Sequence, residues 1–108
     1  EGMYLDRAEA IARRALGAYA DSYERQPASF NAIFFRNLLL LHDASQDRGL
    51  REDIVGAMTA FADAAWTEAR DRSHLFHLRG RPTLLDQSAM VQILALLAWE
   101  PAAYGRLA

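Results

Sequence analysis

A chain of 108 residues with a formal net charge of −2 holds at most one domain. That charge gives no electrostatic case for nucleic acid or for an anionic membrane surface. Its composition is 52% hydrophobic, above the ~45–50% usual for a soluble chain. The excess lies in residues 29–41 and 83–99. No apolar run reaches the ~18–20 residues that a bilayer span needs, and no signal-peptide pattern opens the chain. All 12 basic residues are arginine, which reads as a coding bias and asks for no partner. There is no cysteine, so neither redox compartment nor localisation follows. The opening Glu1-Gly2-Met3 leaves the true start of the protein undetermined.

Residues 4–23 form the first expected helix. Leu5, Ala8, Ala12, Ala15, Leu16, Tyr19 and Tyr23 recur at spacings of three and four, which places them on one face. Asp6, Arg7, Glu9, Arg13 and Arg14 lie off that stripe. Glu9 and Arg13 stand four apart, a favourable helix pair. The helix should end near Glu24, because the residue before Pro27 avoids the helical region.

The second expected helix, residues 29–41, is apolar on nearly every side apart from Asn31, Arg36 and Asn37. A helix without a polar face must be covered all round. Arg36 then needs a partner, and a structural ion pair or a ligand contact would each supply one. Residues 42–49 have the composition of a turn.

The third helix, residues 50–70, returns to one stripe: Ile54, Met58, Phe61, Ala62, Ala65, Trp66 and Ala69. Glu52 and Asp53 fall in its expected first turn, where they complement the helix dipole. Adjacent residues point about 100° apart on a helix, so this pair is a poor candidate for two acids flanking one bond.

Residues 71–82 form an arginine- and histidine-rich linker. His74 and His77 have a metal-compatible spacing but no suitable third ligand nearby. The stretch reads as a solvated loop with Leu75, Phe76 and Leu78 tucked inward, or alternatively as a phosphate or nucleic-acid patch. Thr83-Leu84-Leu85-Asp86 then reads as a capping box opening a fourth helix, residues 83–99, apolar except for Asp86, Gln87, Ser88 and Gln92. Pro101 closes it, and the tail through Tyr104 makes one more turn. Two single-stripe helices thus alternate with two all-apolar ones. The pattern predicts an all-α chain of two antiparallel helical hairpins, residues 3–43 and 50–100, with residues 29–41 and 83–99 most buried. Their surplus apolar surface predicts an exposed patch through which a second copy of the chain could pair.

Phe30-Asn31-Ala32-Ile33-Phe34-Phe35-Arg36-Asn37-Leu38 resembles the Phe-Lys-Gly-Ile-Phe-Val-Arg-Tyr-Leu run of glycoside hydrolase family 76, the α-1,6-mannanases. Three further stretches follow in the family's order. Residues 2–8 resemble the start of an outer helix there. Asp63-Ala64-Ala65-Trp66 resembles its Asn-Ala-x-x-Leu-Trp region, and Gln87-Ser88-Ala89 resembles its Gln-Ala-Ser-Ala stretch. The resemblance covers essentially the whole chain but only about the last third of that family's domain. It implies two of the six hairpins of an (α/α)6 toroid.

The family's retaining mechanism uses an adjacent Asp-Asp pair on an earlier hairpin. This chain has no Asp-Asp pair, and Asn31-Ala32 stands where the family has Lys-Gly. Phe76-His77-Leu78-Arg79 stands in place of Phe-Gly-x-x-Trp. The resemblance therefore implies a part of the wall of a mannan-like sugar cavity, with no catalytic residue in this chain and no cofactor or metal. In toroids of this kind the cavity opens where the inner helices begin, and both linkers before the all-apolar helices lie at that end. This gives Phe30, Asn31, Phe76, His77, Arg79, Asp86 and Gln87 as the candidate sugar-facing set, with Phe76 as stacking platform. The alternative from another class is a free-standing, non-catalytic helical module that pairs with another protein or with itself.

Overall fold

The computed structural model describes residues 2–108. It is all-α: α1 (Gly2–Ala18), α2 (Ala28–Ala44), α3 (Arg48–Glu68) and α4 (Leu84–Leu97), with 3₁₀ segments at Tyr23–Arg25 and Pro101–Leu107. Among the described residues the only β-pairing is an isolated bridge between Arg70 and Phe76. The four helices fall where the two apolar stripes and the two all-apolar runs put them, with shifted ends. α1 stops at Ala18, earlier than expected, and the chain reaches Pro27 through a 3₁₀ turn. Pro27 then precedes α2 with φ −55°, a value its ring imposes.

α2 is the centre of the molecule. It packs on α1, α3, α4 and the C-terminal 3₁₀ segment, most extensively on α4. α1 packs on α3 as well. The two single-stripe helices therefore adjoin each other, and the two all-apolar helices adjoin each other. The Cα framework measures 46 × 27 × 19 Å. The shortest dimension suits two helix layers, given an interaxial spacing of about 8–10 Å.

The core joins Phe35, Leu39, Ile54, Met58, Met90 and Ile93, all essentially without solvent contact. Phe35 packs its ring against Phe34, Phe61 and Tyr23 at centroid distances of 5.8, 6.0 and 5.3 Å. Offset and tilted contacts of this kind suit aromatic quadrupoles.

Burial divides the two all-apolar helices. α2 buries Ala28, Asn31, Ala32, Phe35, Leu38, Leu39 and His42. α4 buries only Ala89, Met90, Ile93 and Leu96, fewer than the six of the single-stripe α3. The expectation that residues 83–99 rank among the most buried is therefore corrected. α4 has one neighbour-covered side, and its other side, with Leu84, Ser88, Val91 and Ala95, faces solvent. These positions recur at three and four residues and carry no charge.

Several local expectations change for identifiable reasons. α3 begins at Arg48 with Asp47 as N-cap, whose carboxylate accepts from the Leu50 N–H at 3.0 Å. Glu52 and Asp53 consequently lie beyond the first turn. Among the described residues Arg36 has no ion-pair partner; its guanidinium donates to the Leu107 carbonyl at 2.5 Å and ties down the C-terminal segment. Arg13 reaches across to Asp47 rather than along its own helix to Glu9, and Glu9 accepts from the Ser45 hydroxyl at 2.5 Å. The tail forms a seven-residue 3₁₀ segment and buries Tyr104 edge-on against His42 at 5.2 Å.

Candidate functional site

Both linkers that precede α2 and α4 lie at one end of the layer. Tyr23 and Gln26 of the first face Leu78 of the second across a groove beside α3. The seven sequence-derived candidates divide into two groups around this end.

The first group is Phe30 and Asn31, in the opening turn of α2. Phe30 is largely exposed and lines a shallow cleft of about 230 Å³ with Tyr19, Tyr23 and Phe34. Asn31 is 3% exposed, and its Nδ2 donates to the Tyr23 carbonyl at 2.8 Å. That bond satisfies a buried amide and fixes the 3₁₀ turn to α2. Asn31 thus holds the cleft in shape, while Phe30 and Tyr19 provide its accessible aromatic surface.

The second group sits on the 71–82 loop and the start of α4. Phe76 is only 6% exposed and packs beside Trp66 at 6.2 Å, so it cannot serve as a stacking platform for a ligand. The correction has a simple cause. Gln87 grips the Phe76 backbone from α4, Oε1 accepting from its N–H at 2.7 Å and Nε2 donating to its carbonyl at 2.9 Å. The same Nε2 donates to the Thr83 carbonyl at 3.1 Å. Gln87 is therefore engaged in positioning the loop. The Thr83 hydroxyl accepts from the Asp86 N–H at 3.1 Å, which is the N-cap half of the expected capping box.

His77 and Arg79 are exposed. His77 Nε2 lies 2.7 Å from Asp71 Oδ2, and its Nδ1 lies 3.2 Å from the Gly80 carbonyl. Asp71 also accepts from the Ser73 and Leu75 N–H groups at 2.7 and 3.1 Å. The His77 contact first, and the Leu75 N–H next, hold the Asp71 carboxyl below the usual carboxylate range. Gly80 turns the loop at φ 109°, a region that costs glycine nothing.

Sequence reasoning missed Trp66 as an accessible aromatic. It belongs to the α3 stripe by spacing but is 45% exposed. The Arg70 guanidinium lies 4.0 Å from its ring centroid, and the His74 ring stacks at 6.3 Å. The signal was present: residues 66, 70 and 74 are four apart, and a cation over a tryptophan face is favourable.

Chemically, this end offers exposed aromatics, an exposed arginine and a carboxylate-bound imidazole. Among the described residues, no group of three or more His, Cys, Asp or Glu side chains could hold a metal ion. Among the same residues, no helix is long and apolar enough to cross a membrane. No family model, no curated protein and no solved structure matches the chain.

Proposed function

We propose that this chain is part of a helical-hairpin ring of the α-1,6-mannanase kind and contributes wall to its sugar cavity without supplying catalytic acids. The ordered motif resemblance supports the reading, and one observation carries it. The two helices that a ring would place innermost, α2 and α4, pack on each other yet still expose Phe30, Ile33, Leu84 and Val91. Further hairpins on either side would cover such faces. The accessible candidates for sugar contact are Phe30, His77, Arg79 and Asp86, with Trp66 and Tyr19 as aromatic surface. Asn31, Phe76 and Gln87 serve as the framework behind them.

Hydrolysis with retention needs two carboxyls about 5–5.5 Å apart across a sugar site. No such pair is assigned here, so the isolated chain is expected not to hydrolyse α-1,6-mannan. The test is to express the complete reading frame that encodes this chain. Release of manno-oligosaccharides from α-1,6-mannan, dependent on an Asp-Asp pair outside residues 1–108, supports the reading. A complete reading frame without such a pair contradicts it.

The same uncovered faces favour one other reading, a non-catalytic module that pairs through α4 with a second copy or another protein. An active hydrolase from the complete reading frame would reject it.

A further inference from the structure

Ala20 just beyond α1, the Tyr23–Arg25 turn and the C-terminal half of α3 border a groove of about 410 Å³. That volume lies within the ~300–1,000 Å³ of small-molecule sites. Ala57, Ala60 and Ala64 stand three and four apart along α3 and give it a smooth methyl wall. Tyr23, Phe61 and Leu78 complete the apolar lining. We infer that this groove binds a small amphiphile, an apolar body of about the size of a phenyl ring carrying an ammonium group.

The charge pattern selects that occupant. The charged residues that line the groove are Glu24 and Glu68, both acidic and both exposed. Neither is a member of the ion pairs found among the described residues. Glu68 is the last residue of α3, so the negative end of the helix dipole adds to its charge. The first turn of α2, which reaches the groove at Ala28, opposes this with one positive end. Two carboxylates and a helix C-terminus outweigh it. An anion would meet like charge. A neutral apolar molecule would gain nothing from either carboxylate. A cation with an apolar body answers both walls. This inference does not depend on the sugar reading.

The test is an NMR titration of the chain at low ionic strength with 2-phenylethylammonium, 2-phenylethanol and phenylacetate. The ammonium should shift the Ala60 and Ala64 amide signals and bind at least about tenfold more tightly than the alcohol. Phenylacetate should not bind. Glu68→Gln should weaken the ammonium about three- to tenfold and leave the alcohol unchanged. Ala60→Leu, at an exposed helix position, should fill the groove and remove binding of both. Equal affinity for ammonium and alcohol, indifference to Ala60→Leu, or no shift by about 10 mM ammonium would overturn the inference.

Discussion

The side-chain amide of Gln87 pairs with both backbone polar groups of Phe76, at 2.7 and 2.9 Å, much as a neighbouring strand would. It anchors the 15 residues between α3 and α4 (69–83) at the point where they turn inward. Gln87→Ala leaves a half-buried N–H and carbonyl to find water or go unpaired, a loss of about 1–3 kcal/mol. Urea unfolding should show that loss, and hydrogen exchange at the Phe76 amide should accelerate. Gln87→Glu keeps the acceptor and removes the donor, so it should fall between wild type and Gln87→Ala. An unchanged midpoint for Gln87→Ala would mean that the loop is held elsewhere.

Asp47 serves α3 twice, as N-cap for Leu50 and as partner of Arg13. The Leu50 N–H first, and the Arg13 guanidinium next, hold its carboxyl below the usual range. The ion pair is solvent-exposed, and such pairs contribute little. Asp47→Ala should therefore lower the unfolding midpoint more than Arg13→Ala, and Asp47→Asn, which can still cap, should recover most of the difference. Equal losses for Asp47→Ala and Arg13→Ala would show that the pair, not the cap, matters.

His42 lies buried against Tyr104 with its Nδ1 unpartnered. Burial, with the Arg51 cation beside it, holds its imidazole below the usual histidine range. In the unfolded chain the imidazole takes up a proton near pH 6.5; in the folded chain it does so at lower pH. Its contribution is thus fully present above about pH 6.5 and is lost as pH falls through the folded value. Asp47 and Asp71, both depressed, add a second loss below about pH 4. His42→Phe keeps the ring contact and removes the orphaned nitrogen. It should fold at least as stably at pH 7 and flatten the decline in urea midpoint between pH 7 and 5. A variant with the wild-type decline would place the titration on other groups.

Helix content and order were legible because residues 4–23 and 50–70 carry a 3.6-residue apolar stripe and residues 29–41 and 83–99 are apolar runs bounded by proline and by polar linkers. What α4 covers was not. Its residues are apolar all round, and composition alone cannot say which side lacks a neighbour. The seven candidate site residues were found by the end of the layer on which they sit, and that placement follows from linker alternation. Which of them turn outward was not readable. Phe76 is drawn in by a glutamine eleven positions later, and Asn31 is spent on a carbonyl eight positions earlier. Arg36 and Arg13 likewise find partners 71 and 34 residues away, where helix spacing rules have no reach.

The uncharged exposed side of α4 predicts self-association of the isolated chain. Light scattering should give a mass that rises with concentration. Leu84→Glu combined with Val91→Glu should return it to that of a monomer. Both side chains are well exposed, so the double variant should keep the unfolding midpoint. A wild-type chain that stays monomeric at millimolar concentration would mean that the four helices suffice.

The most direct test of the sugar-wall reading is oligosaccharide affinity in the protein made from the complete reading frame. α-1,6-mannotetraose would be titrated against wild type and against His77→Ala, Arg79→Ala and His42→Ala. His77 and Arg79 lie at the end where α4 begins, and His42 lies near the end of α2. The account predicts a several-fold loss of affinity for His77→Ala or Arg79→Ala and none for His42→Ala. Affinity lost only in His42→Ala, or no binding of the tetrasaccharide by the wild type, would contradict it.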